Sequence, residues 1–276
     1  MARLFLTGAS GFVGGRIIET APPDWSVAGQ WRSHRPVSGC VAEHQVDLSD
    51  ATATARAIRE SSPDVVLHAA YDMAAGVEPN LVWSRNVLAA AAAIGARVVL
   101  ISTDLVFDGK RGWYAEDEEP APVIAYGAWK ATLEREVLTA AGIVARTSLV
   151  WGIDPISATI ESMILAPLRR GEPPRLFADE WRTPTEVRDL AHALWLAAEL
   201  KGPRILHMAG PERLSRLEQG QVIARAFGFD PDSIPASYRA EVAPDRPADT
   251  SLLATRITTD VLRYRFRGPS EILARS

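Results

Sequence analysis

The stretch Thr7-Gly8-Ala9-Ser10-Gly11-Phe12-Val13-Gly14 decides how this chain folds. It follows the apolar run Arg3-Leu4-Phe5-Leu6 and opens a helix-like segment, Phe12 to Thr20, that stops at Pro22-Pro23. Glycines at G-x-x-G-x-x-G spacing let a chain leaving a strand turn back tightly and let its backbone approach a diphosphate. The first N–H groups of the following helix then face the ligand with a partial charge of about +0.5. A glycine pattern alone is a weak signal, but between a first strand and a first helix it predicts a dinucleotide cradle. The expected cofactor contacts there are Gly8, Ser10, Gly11, Phe12, Val13 and Gly14.

Working outward, strand-like and helix-like segments alternate. Trp25 to Trp31, Asp64 to Ala69, Arg97 to Ile101 and Ile143 to Thr147 read as strands; Ala51 to Glu60, Leu81 to Ile94 and Ala125 to Ala141 read as helices. Apolar runs of about five residues without polar alternation imply strands covered on both faces, hence a parallel sheet with right-handed crossovers. The expected class is α/β, a Rossmann-type doubly wound parallel sheet with a smaller C-terminal α/β substrate lobe. Residues 1–151, with a returning segment near 185–210, are assigned to the dinucleotide-binding domain, and 152–184 with 211–276 to the smaller lobe. Beyond Gly152 the pattern loosens, with prolines at 155, 167, 173, 174 and 184. A helix at 157–170, a strand at 207–209, a helix at 217–227 and mostly loop at 230–249 are expected there.

The chain has 276 residues, 47% hydrophobic and 23% charged, enough for a sizeable core. A net charge of −4 argues against a nucleic-acid partner, which needs a basic excess. The single cysteine, Cys40, excludes an internal disulfide and fits a reducing, cytoplasmic setting. The longest apolar run, 87–101, is broken by Gly95 and Arg97, so no membrane span is expected. No signal-peptide pattern is read at the N-terminus. The five histidines lack ligand spacing, so no metal site is expected. Glu116 to Glu119 reads as a solvated acidic loop, and most of the eight tryptophans as packing residues.

An acidic residue at the end of the second strand would hydrogen-bond a ribose 2′-hydroxyl. Here the chain has Trp31-Arg32-Ser33-His34-Arg35, with no carboxylate, and Arg32 with Ser33 suits a 2′-phosphate. NADP is therefore favoured over NAD. Asp47-Leu48 contacts adenine or caps a helix; Ala69, Ala70 and Tyr71 end a strand where small residues admit a ribose. His68 reads as a packed strand residue. Tyr126 and Lys130, at i and i+4, share one helix face. A free phenol has a pKa of about 10, and a nearby ammonium lowers it. Such a tyrosine exchanges a proton with a carbonyl or hydroxyl while hydride moves at carbon. Thr103 would bind the same oxygen, and Lys130 the nicotinamide ribose.

With these segments in place, the chain resembles the extended short-chain dehydrogenase/reductase superfamily, and within it the dTDP-4-dehydrorhamnose reductases. The likeness rests on the glycine turn, Ser102-Thr103-Asp104-Leu105-Val106-Phe107-Asp108-Gly109, Tyr126 to Lys130, Arg146 to Gly152, Arg182 to Thr185 and Arg246 to Leu252. It implies a proton relay of Thr103, Tyr126 and Lys130, cofactor roles for Gly8, Gly11, Gly14 and Asn86, and an NADPH-dependent reduction of a 4-keto sugar nucleotide. Asp104, Trp151 and Arg182 are the expected substrate contacts; Trp181 and Arg188 stand where a base could stack and a diphosphate bind. The sequence departs from the family at Leu105, where tyrosine is common, at Leu149, where tryptophan is frequent, and at 71–77, which is shortened and lacks an acidic pair. Related dehydratases use an acid at the position of Leu105. A second class remains open: a catalytically silent NADP-binding partner resembling the regulatory subunit of methionine adenosyltransferase. A homodimer is compatible with either.

Overall fold

The strand β1 (Ala2–Thr7) is an inner strand of the central sheet, and its residues Leu4 to Leu6 are buried. The structure is a computed structural model that describes residues 1–36, 39–153, 157–254 and 256–274; Pro155 lies outside them. After β1 come α1 (Phe12–Glu19), β2 (Trp25–Trp31), β3 (Ala42–Gln45), α2 (Ala51–Ser61), β4 (Val65–His68), α3 (Val77–Ala93), β5 (Arg97–Thr103), α4 (Ala125–Thr139) and β6 (Ile143–Thr147). Further on lie α5 (Val187–Glu199), β7 (Arg204–Met208) and α6 (Arg216–Ala226). The seven strands form one parallel sheet in the order β7-β6-β5-β4-β1-β2-β3. Leu4 pairs with Val65 and Thr7 with His68, while on the other side Leu6 pairs with Gly29. Residues 65–67 and 98–100 are buried as well, as two-sided coverage requires.

The chain divides into two units. The first holds residues 1–102, 129–145 and 191–206; the second holds 103–128, 146–190 and 207–276. This differs from a boundary at 151 and a return near 185–210. The chain leaves the first unit at the C-terminal ends of β5, β6 and β7, so each strand's last residues already belong to the second. Local chemistry sets several ends. Asp50 caps α2 by accepting Ala53 N–H at 2.8 Å, and Ser62 closes it in the left-handed region. The helix α3 begins four residues before the expected Leu81, because Gly76 at φ +82° turns the chain directly into it.

Inside the first unit, His68 is a fully enclosed joint. Thr7 Oγ1 accepts the N–H groups of Ala69 and Ala70, each at 3.1 Å, so its one proton goes to His68 Nδ1 at 2.8 Å. Nδ1 is therefore an acceptor, and the protonated Nε2 donates to Ser84 Oγ at 2.9 Å. Ser84 in turn donates to Asn80 O at 2.8 Å. Burial, with the Lys130 charge nearby, holds the imidazole neutral, its pKa lowered to about 3. His68 is thus the packed strand residue that its sequence context implies.

The second unit has its own apolar centre of Trp151, Ile160, Ile164, Leu165, Leu168, Leu176 and Ile223. Segment 158–169 is helical as expected, with a wide π-type turn at Glu161–Leu165. Segment 230–249 is less loop-like than expected: Ala236–Ser237 pairs with Leu176–Phe177, and Arg239–Val242 forms a helical turn. Glu116 is not in a solvated loop. It is 2% exposed and accepts Thr258 Oγ1 at 2.6 Å. No helix among the described residues is long and apolar enough to cross a membrane.

Replacing His68 with alanine should cost about 3 kcal/mol, since buried hydroxyls lose their partner and a cavity opens. Denaturant titration measures it. The unfolded histidine takes a proton that the native site refuses, so native His68 loses stability as pH falls from about 6.5 toward about 3. The variant should show a correspondingly shallower loss over that window.

Candidate functional site

The glycine turn ends β1 and enters α1. Gly11 stands at the N-cap with no side-chain hydrogen bond, and the first turn of α1 holds no acidic residue. A Cβ on Gly14 would lie 2.2 Å from Gly8 O, so only glycine lets α1 sit on the turn. Gly8 N–H donates to Gln30 Oε1 at 3.0 Å and Ala9 N–H to Gln30 O at 2.9 Å, pinning the turn to β2. Ser10 and Gly11 are exposed, and Phe12 and Val13 half-buried. An open backbone cradle at an uncapped helix N-terminus fits the diphosphate of a dinucleotide.

At the end of β2, Arg32 and Ser33 are exposed, as a 2′-phosphate site needs. Arg32 is not free, however: its Nη2 donates to Asp72 Oδ2 at 2.8 Å. Asp47 makes a local turn, its Oδ1 accepting Ser49 N–H at 2.9 Å, while Asp50 is the cap of α2. Leu48 is buried. The Asn86 amide donates to the carbonyls of Leu48 at 2.8 Å and Ser49 at 3.3 Å, so it ties α3 to this loop. Ala69 and Ala70 present their N–H groups to Thr7, and Tyr71 is exposed with its ring centroid 5.7 Å from Lys130 Nζ.

Tyr126 and Lys130 lie one turn apart at the start of α4, Tyr126 half-buried and Lys130 buried. Lys130 Nζ donates to the carbonyl of Ile101 at 2.8 Å and lies 4.6 Å from the Trp129 ring centroid. Burial lowers its pKa from 10.5 to about 8, against an opposing pull from Glu134. Glu134, one turn further along α4, is 1% exposed and accepts Ser102 Oγ at 2.5 Å. Thr103 ends β5; its hydroxyl donates to Asp104 Oδ1 at 3.2 Å and accepts Leu105 N–H at 3.2 Å. The turn carrying Tyr126 meets the turn after Thr103 at Gly127, where a Cβ would stand 1.9 Å from Leu105 O. Sequence reasoning missed Gly127 and Glu134. The signal for the first was a glycine inside a helix, where it costs about 1 kcal/mol and so needs a reason.

Two expected substrate contacts are bound to each other. Arg182 Nη1 donates to both oxygens of Asp104, at 2.7 and 2.8 Å, with both side chains almost fully buried. Asp104 also accepts Ser148 Oγ at 2.6 Å and Thr250 Oγ1 at 3.2 Å. Burial forces this pairing, because an isolated carboxylate or guanidinium is costly out of water. Trp151, at 1% exposure, packs in the apolar centre of the second unit. Trp181 lies under Arg213 at 4.7 Å, and Arg188 is exposed. Trp151 also borders an open recess, together with Ile160, Met163, Leu176, Arg216 and Gln219. Arg216, which sequence reasoning missed, is held below its usual pKa, at about 10, by burial, and so stays charged at neutral pH. Glu180 also joins the cluster, accepting Arg246 Nε at 2.8 Å and Arg182 Nη2 at 3.4 Å. Three guanidiniums (Arg182, Arg216 and Arg246) against two carboxylates leave an excess positive charge. Among the described residues no three His, Cys, Asp or Glu side chains gather as a metal would need.

Known proteins bear on this arrangement. The family model described as the RmlD substrate binding domain matches residues 2–267. The dTDP-4-dehydrorhamnose reductase of Mycobacterium tuberculosis is 30% identical over 275 residues, 92% of this chain and 85% of that one. The methionine adenosyltransferase 2 subunit beta of Rattus norvegicus is 29% identical over 280 residues, 93% of this chain and 82% of that one. Among solved structures, the dTDP-4-dehydrorhamnose reductase of Bacillus anthracis in complex with NADP shares the fold at a TM-score of 0.83, with 23% identity over 100% of this chain and 98% of that one. The glycine turn, the parallel sheet and a match spanning nearly every residue agree: this chain belongs to the RmlD substrate binding domain family, the dTDP-4-dehydrorhamnose reductase-like group of the extended short-chain dehydrogenase/reductases.

Proposed function

We propose that this chain is an NADPH-dependent reductase of a 4-keto sugar nucleotide, with Tyr126 as proton donor. The observation that carries this reading is the start of α4, where Tyr126 lies one turn from a buried lysine anchored on the Ile101 carbonyl. When bound, the nicotinamide supplies the hydride. Gly8, Gly11 and Gly14 admit the diphosphate, and Arg32 with Ser33 receives the 2′-phosphate. The Lys130 ammonium stabilises negative charge on the Tyr126 oxygen, so the phenol gives its proton more readily to the oxygen that the reduction leaves. The Thr103 hydroxyl hydrogen-bonds the same oxygen by turning its proton from Asp104. Asp104 and Arg182 act as supports: their buried pair holds the chain on which Thr103 sits. In the second unit, the apolar walls of the recess suit a nucleotide base, and Arg216 in its lining suits a diphosphate.

A second reading is favoured by the likeness to the methionine adenosyltransferase subunit: a dinucleotide-binding partner without turnover. NADPH consumption with a panel of 4-keto nucleotide sugars, dTDP-4-dehydrorhamnose first, separates the two. Turnover supports the reductase; tight NADPH binding without turnover of any of them supports the partner.

Tyr126→Phe should lower kcat by about 10²–10⁴-fold while NADPH affinity stays near wild type, because only the proton donor is removed. Equal activity in the variant would refute the proposed proton transfer. NADPH should bind more tightly than NADH, and Arg32→Ala should remove about ten-fold of the NADPH affinity in a fluorescence titration. The pH profile tests Lys130. Its cation is present below about pH 8 and lost above it, so reduction should fall as pH rises through that value. Glu134 favours the cation, so Glu134→Gln should move that limb to lower pH.

A further inference from the structure

Arg32 has a fixed partner from a different part of the chain. Asp72, in the loop after β4, accepts its Nη2 at 2.8 Å, and the guanidinium lies 5.4 Å from the Trp83 ring centroid. The carboxylate is held in place from its own loop. Asp72 Oδ1 accepts Ala74 N–H at 2.9 Å, Asp72 N–H donates to Asn80 Oδ1 at 2.9 Å, and Asn80 Nδ2 donates to Asp72 O at 2.7 Å. Asn80 is 3% exposed and also reaches Gly76 O at 2.6 Å. Its own carbonyl accepts Ser84, so this loop is tied to the same joint, through His68, as the glycine turn. The Arg32 charge and the Ala74 N–H keep the Asp72 carboxyl below the usual carboxylate range, hence ionised at neutral pH. Asp47 also feels the Arg32 charge. The residue that would receive a 2′-phosphate therefore meets a carboxylate first.

We propose that Asp72 is a specificity residue for the adenosine ribose of the cofactor: a fixed counter-charge on Arg32 that restrains 2′-phosphate binding and keeps an unphosphorylated ribose acceptable. The proposal rests on the dinucleotide reading of this cradle. A guanidinium has five N–H donors, enough to serve Asp72 and a phosphate together. The two anions would then stand about 6 Å apart across it. At the dielectric of an exposed site, repulsion between a carboxylate and a phosphate dianion at that distance is worth about ten-fold in affinity. Facing a ribose without the phosphate, the same carboxylate accepts the 2′-hydroxyl, the part an acidic residue at the end of the second strand plays in NAD sites. Position 72 supplies that acid from the loop after β4, although the end of β2 has none.

The test is a fluorescence titration of NADPH and NADH with wild type, Asp72→Asn and Asp72→Ser. Both replacements are neutral and retain an oxygen that can cap Ala74 N–H, so the loop keeps its local bond. Each should raise the ratio of NADPH to NADH affinity by about ten-fold, through tighter NADPH and equal or weaker NADH. The gain should shrink in high salt, since the pair is partly exposed. A ratio within about two-fold of wild type in both variants, with wild type binding NADPH, would overturn the assignment of Asp72 and leave the cofactor reading intact. Wild type binding neither nucleotide would overturn both.

Discussion

The hydrogen bonds of one neutral imidazole join most of what matters in the first unit. His68 takes the Thr7 hydroxyl proton on one side and gives its own to Ser84 on the other, inside a region closed to water. Thr7 is the last residue of β1, immediately before the glycine turn; Ala69 and Ala70 begin the loop after β4; Ser84 and Asn80 belong to α3. The turn, the loop after β4 and α3 therefore share one set of bonds. A protonated imidazole could not serve, because its second N–H would meet a hydroxyl whose only proton already points at it. The low pKa of His68 follows from that closure, and the chain of bonds through Thr7, His68, Ser84 and Asn80 is continuous.

The two units treat charge differently. In the first, the buried charge near the start of α4 is a lysine in a low-dielectric position, close enough to neutrality that small electrostatic changes alter its state. Its anchor on the Ile101 carbonyl and its helical neighbour Glu134 oppose the desolvation. In the second, Asp104, Arg182, Glu180 and Arg246 form a network of ion pairs in which both carboxylates meet a guanidinium. Breaking such a pair leaves an uncompensated buried ion, so these residues carry a structural role.

Much of the first unit's local layout is legible in the sequence. The strands β2 and β6 occupy the expected residues, and the glycine turn stands between β1 and α1. Tyr126 and Lys130 open a helix because i and i+4 spacing is a local property of the chain. Harder to see were the partners of charged residues. Arg32 and Asp72 are forty residues apart, and Arg182 and Asp104 seventy-eight, so nothing in their local sequence announces the pairing. The near-complete burial of Trp151 in the core of the second unit is equally a matter of distant neighbours.

Sequence by itself determined the parallel α/β class, the position of the dinucleotide turn and the tyrosine–lysine pair. Each depends on spacing within a few residues, which backbone geometry converts directly into structure. The tertiary structure alone decided the division into units, the neutral state of His68, the burial of Glu116 and the fate of each arginine. Those depend on which distant groups share a low-dielectric volume. A charge there must find a counter-charge or give up its proton, and the linear order of residues does not state which partner is near.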